Sequence, residues 1–153
     1  MPGMSSQLFA DLRAAFASES MTAQRYAYFA EIAEIEGHLA VAQTLRELAS
    51  TTDCVAHGHL DLLRFEADPS TRQPLGDTEL NVAAALTGEL HESADLYPKL
   101  SEHAHDEGLA DVASWLETLT ALKGAHVTRL QSTLAELRAQ ELTGRHTAAG
   151  TGD

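Results

Sequence analysis

The sequence predicts an all-α protein in which four amphipathic helices form two helical hairpins joined by one crossover loop. Three observations carry that expectation. Apolar residues recur every three to four positions along four long stretches, and no stretch shows the two-residue alternation of a half-buried strand. Glycine and proline gather where such helices would end. Hydrophobic residues make up 44% of the 153 and charged residues 22%, an ordinary globular balance for one domain with one core.

The first helix is expected over 5–36, capped by Ser5 or Ser6, with a stripe of Leu8, Leu12, Ala15, Phe16, Glu19, Ala23, Tyr26, Ala30 and Ala33. Glu36-Gly37 closes it, glycine being the usual residue just past a helix end. A second helix, over 38–66, sets Val41, Leu45, Leu48, Thr52, Val55, His59 and Leu62 on one face. The crossover, Ala67 to Asp77, holds Pro69, Pro74 and Gly76. Asp77 or Thr78 caps the third helix, over 78–106, which turns Val82, Ala85, Leu86, Glu89, Glu92, Ser93, Leu96 and Leu100 inward. After Glu107-Gly108 the fourth, over 109–142, aligns Val112, Trp115, Leu119, Leu122, Lys123, His126, Leu130 and Leu137. The folded domain is thus expected over 5–143, with 144–153 a flexible tail that lacks an apolar face. The two Glu-Gly breaks lie 71 positions apart, at 36–37 and 107–108, so the halves resemble each other. Four helices with one long connection describe the ferritin-like kind of four-helix bundle.

Composition narrows the function. Lys and Arg number 10 against 23 Asp and Glu, a formal net charge of −13 that repels phosphate backbones and anionic lipid headgroups. No nucleic-acid or membrane partner is expected. No run of 18 apolar residues is found, and the opening MPGMSSQLF lacks a basic segment before an apolar one, so the cytoplasm is the expected compartment. Cys54 is the one cysteine, which excludes an internal disulfide and a cysteine-rich metal knuckle. No Ser-His-Asp set, phosphate loop or dinucleotide fingerprint is present.

The informative residues are ionisable ones on apolar stripes. Glu19 sits among Phe16, Ala23 and Tyr26; Glu89 and Glu92 share a face at i, i+3, as do Lys123 and His126. A buried unpaired charge costs several kcal/mol, so these five are expected to pair with each other, to hold a metal, or to stand more exposed than the pattern suggests. His57 and His59, like His103 and His105, lie two apart and point about 200° apart on a helix, so neither pair shares a metal. They read as surface histidines. His59 alone, one turn beyond Val55 on the same stripe, could reach back as a displaced ligand. Cys54 reads as an inert, half-buried thiol.

Ala-Phe-Ala-Ser-Glu-Ser at 15–20, Arg-Tyr-Ala-Tyr-Phe-Ala at 25–30, Gly-Glu-Leu-His-Glu at 88–92, Leu-Tyr-Pro at 96–98, Asp-Glu-Gly at 106–108 and Trp-Leu-Glu-Thr-Leu at 115–119 resemble rubrerythrin, over roughly residues 7–135. The resemblance implies a ferritin-like bundle with a non-haem diiron site that reduces peroxide, often fused to a rubredoxin domain. With Cys54 alone no rubredoxin domain is expected here, and any electron donor would be another protein. By the same resemblance Glu19, Glu89 and Glu92 fall on ligand positions, and Tyr26 and Tyr97 on tyrosines beside the irons. The second-helix Glu-x-x-His falls on Thr52 and Val55, and the fourth-helix one on Lys123 and His126, so both bridging glutamates are replaced.

Bridging carboxylates hold two dications together by placing negative charge between them, whereas Lys123 brings positive charge and no lone pair. The expectation is a protein that has lost the diiron centre and binds no cofactor. Its core would be a salt-bridged polar network of Lys123, Thr52, Tyr26 and Tyr97 with the acids, and its role structural or interaction-based as a homodimer, in which exchange of hairpins is open but not favoured. The alternatives are one iron or other divalent ion on Glu19, Glu89, Glu92 and His126, or an iron-dependent peroxidase for oxidative-stress defence working with those ligands.

Overall fold

Ser5 caps the first helix: its Oγ accepts the Leu8 N–H at 3.2 Å, and α1 runs Ser6–Ile35. This computed structural model describes residues 3–149, and of 144–149 the backbone only. Two compact units divide the chain, Met1–Pro69 and Ser70–Asp153.

In the first unit α1 stops because Gly37 takes φ +85°, a left-handed conformation that a Cβ disfavours. Its neighbours complete a Schellman turn, with the His38 N–H donating to Ala33 O at 2.8 Å and the Gly37 N–H to Glu34 O at 3.0 Å. An ion pair between Arg46 and Glu34 ties α2, Leu39–Leu63, to α1 just beyond the turn. The core of this hairpin is built mainly from alanine: Ala23, Ala30 and Ala33 on α1, Ala42 and Ala56 on α2, with Phe9 and Leu63 towards its open end. Small side chains let the two backbones approach closely. The bulkier row on α2 is therefore displaced to one side, and Val41, Leu48, Val55 and Leu62 remain 43–53% exposed.

In the second unit the crossover folds onto the next helix. Asn81 Oδ1 accepts the Gly76 N–H at 3.1 Å, and Asp77 Oδ1 accepts the Leu80 N–H at 2.9 Å as the helix cap. The third long helix is continuous but not uniform: α3, Thr78–His91, passes through a π-helical turn, Glu92–Leu96, into α4, Tyr97–Asp106. Pro98 stands next to the irregularity. A proline inside a helix lacks an N–H for the carbonyl four residues back and crowds it, and the wider turn relieves both problems. Gly108 at φ +74° repeats the Schellman turn, with the Leu109 N–H on Ala104 O at 2.8 Å. The last helix, α5, runs Ala110–Ala149, past the end expected near 142; residues 150–153 of the expected tail lie outside the described residues. No proline interrupts that extension, and Ala148-Ala149 favour helix.

The all-α class read from the sequence holds, as two helical hairpins and a crossover, with no strand among the described residues. No helix of the described residues is long and apolar enough to cross a membrane.

Candidate functional site

The C-terminal turn of α3, the first residue of the π-helical turn and the middle of α5 bring four ionisable side chains together in the second unit. Lys123 Nζ lies 3.1 Å from Glu89 Oε1 and 2.6 Å from Glu92 Oε2. One helical turn on, His126 Nδ1 lies 3.2 Å from Glu89 Oε2. The i, i+3 spacings on both helices are what make this possible, since each puts two side chains on one face. A carboxylate only accepts, so His126 Nδ1 is the donor in this contact.

Exposure sets the strength of these contacts. The Lys123 and Glu89 side chains are 20% exposed, Glu92 33% and His126 44%, so the cluster lies between a surface ion pair and a buried one. The hydrogen bond to Glu92 raises the Lys123 pKa above its ordinary value; burial works against this, and Glu89 adds to it. The ammonium form is therefore the one this site holds.

The residues singled out from the sequence divide between the units. Glu89, Glu92, Lys123, His126 and the half-buried Tyr97 belong to the second. Glu19, Tyr26 and Thr52, all half-buried, belong to the first, as does Val55. Among the described residues no group of three or more His, Cys, Asp or Glu side chains is arranged to hold a metal. The donor chemistry of the second unit also fits a diiron centre poorly. Both Glu89 oxygens are engaged, and the Lys123 ammonium stands between Glu89 and Glu92.

His57, His103 and His105 are exposed, as expected of surface histidines, while His59 is half-buried on α2. Cys54 corrects the reading of a half-buried thiol: it is exposed, because the row that meets α1 contains Ala56 and Leu63 and turns position 54 outward. Ser101 was not legible as a polar core residue. It is buried on α4, with Oγ 3.5 Å from both Ala113 O and Glu117 Oε1, and His105 Nε2 lies 2.8 Å from the same Glu117 oxygen. The signal available was the internal repeat, because Ser101 answers the fully buried Ala30 at the 71-residue spacing.

The rubrerythrin family model matches residues 11–134. Rubrerythrin-1 of Clostridium acetobutylicum is 30% identical over 135 residues, covering 83% of this chain and 69% of its own length. The rubrerythrin of Porphyromonas gingivalis is 32% identical over 127 residues, covering 80% and 64%. The chain thus spans about two thirds of the length of these relatives. A solved structure of nigerythrin in a mixed-valence state aligns with 90% of this chain and 70% of its own at 20% identity and a TM-score of 0.41.

Proposed function

The chain belongs to the rubrerythrin family, and we propose that in this member an internal ion-pair cluster stands where the family's resemblance implies metal. The protein would serve a structural or interaction role as a cytoplasmic homodimer rather than act as a diiron oxidoreductase. One observation carries the reading: Lys123 Nζ sits between the two carboxylates, at 3.1 and 2.6 Å. An ammonium offers donors and no lone pair, so a dication approaching Glu89 and Glu92 meets a positive charge already hydrogen-bonded to both. The row Val41, Leu48, Val55 and Leu62, 43–53% exposed, is the apolar face offered for the homodimer.

The test is metal content of protein made in iron-supplemented medium, together with melting curves with and without ferrous iron. Substoichiometric iron and an unchanged Tm are expected, because a ligand stabilises only the state that binds it. Two irons per chain with a Tm raised by several degrees would overturn the reading in favour of an iron-dependent peroxidase fed by an external electron donor. A single firmly bound metal would overturn it in favour of metal binding on the residual ligands.

A further inference from the structure

The two hairpins are copies of one pattern, and the register between the copies changes once. Gly37 and Gly108, both left-handed, lie 71 positions apart. So do three matched pairs of buried core residues: Ala33 and Ala104, Ala42 and Ala113, Leu63 and Leu134. Tyr26 and Tyr97 keep the same spacing. Upstream of Tyr97 the spacing is 70, with Glu19 answering Glu89 and Ala23 answering Ser93. The second hairpin therefore carries one additional residue between Ser93 and Tyr97. The π-helical turn Glu92–Leu96 lies at that point, with the Tyr97 N–H reaching back five residues to Glu92 O. A single π turn is how an α-helix held at both ends absorbs one added residue. Here Ser101 and Ala104 are buried on one side of the turn, and Glu89 holds Lys123 on the other.

We propose that this turn is a register point for the ion-pair cluster, an inference that rests on reading the cluster as an ion-pair lock. With the extra residue lodged at 92–96, the helix presents Glu89 and Glu92 to Lys123. With it lodged nearer Asp77, the segment between would rotate by about 100° and present Leu90 and Ser93 instead. The rotated register takes both carboxylates from Lys123 and so is the less stable of the two. Leu90 is apolar and 43% exposed, and Ser93 satisfies its own hydroxyl on Leu90 O at 3.2 Å. Pro98 makes the device one-sided, since its missing N–H and its ring oppose regular α-helical bonding across it and keep the slack from passing into α4.

Deletion of Ala94, an exposed residue within the turn, gives the second hairpin the spacing the first already has. The deleted chain is expected to keep its helical content. It should also keep the non-additivity of Glu92→Gln and Lys123→Met, about 2–4 °C in Tm for a coupling near 1 kcal/mol. Amides 86–93 should exchange at least about tenfold more slowly than in the wild type, because the slack that permits rotation is gone. Failure of the deleted chain to fold, or loss of the non-additivity, overturns the proposal by showing that the extra residue is needed to place the acids. Unchanged exchange overturns it by showing that the slack is not used. A second variant, Pro98→Ala, should speed exchange of amides 99–102, and no change there also counts against the device. Iron content of the same preparations reports separately on the lock, since the exchange ratio compares two chains of the same metal state.

Discussion

Lys123 is the residue on which the site turns. Removing one partner of a buried pair costs about 3–5 kcal/mol and of an exposed pair at most about 1. At 20% exposure Lys123→Ala should therefore destabilise the second unit by about 1–3 kcal/mol, measured by urea unfolding. The pH dependence follows from the raised pKa. The stabilisation is complete below the ordinary lysine value of 10.5 and is lost as pH rises through the higher folded value, so the wild type should weaken above that point and Lys123→Met should not. Lys123→Glu sets a third carboxylate beside Glu89, Glu92 and His126, all on one unit. It should melt below the wild type without metal and gain several degrees with Mn²⁺, whereas the wild type gains none. The pairing of Lys123 with Glu89 and Glu92 was legible because each helix repeats its spacing within one turn. The exposure of Cys54 was not, because periodicity does not say which of two adjacent apolar rows a partner helix selects.

At the scale of the elements, the two Schellman turns give a clean contrast. An added Cβ at Gly37 or Gly108 meets nothing within 4 Å, so an alanine there has only the left-handed backbone to overcome, about 1–2 kcal/mol. Gly37→Ala and Gly108→Ala should each lower stability by that amount in thermal unfolding, and Gly→Asn at either site by less. The ends of these helices were readable in the sequence, because Ser5, Asp77 and the two glycines each solve a local problem of unpaired backbone groups. The π turn was not. A one-residue slip of about 100° leaves an apolar stripe recognisable on both sides, and only Pro98 and the change of repeat spacing mark it.

For the whole molecule, the exposed row on α2 leads to a prediction about assembly. Leu48→Glu with Val55→Glu should turn a dimer into a monomer by light scattering while leaving the far-ultraviolet helix signal unchanged, since both residues lie outside the alanine row that joins α1 to α2. Four helices and the hairpin connectivity were legible because each helix carries its own amphipathic pattern; the division of labour between an alanine row and a bulkier row appears only once the helices are paired. The two turns also have a bearing on how the chain acquires its structure. Each links partners only twelve residues apart, Glu34 with Arg46 and His105 with Glu117, so the earliest cross-helix contacts need close only a short loop. Such closures take about 10–100 ns, and chains rich in local contacts refold in microseconds to milliseconds. Trp115, the one tryptophan, sits on α5, seven residues past Gly108 in the same unit. In stopped-flow refolding, its fluorescence phase should slow in Gly108→Ala and keep its wild-type rate in Gly37→Ala, so that one molecule reports two separate nucleation events.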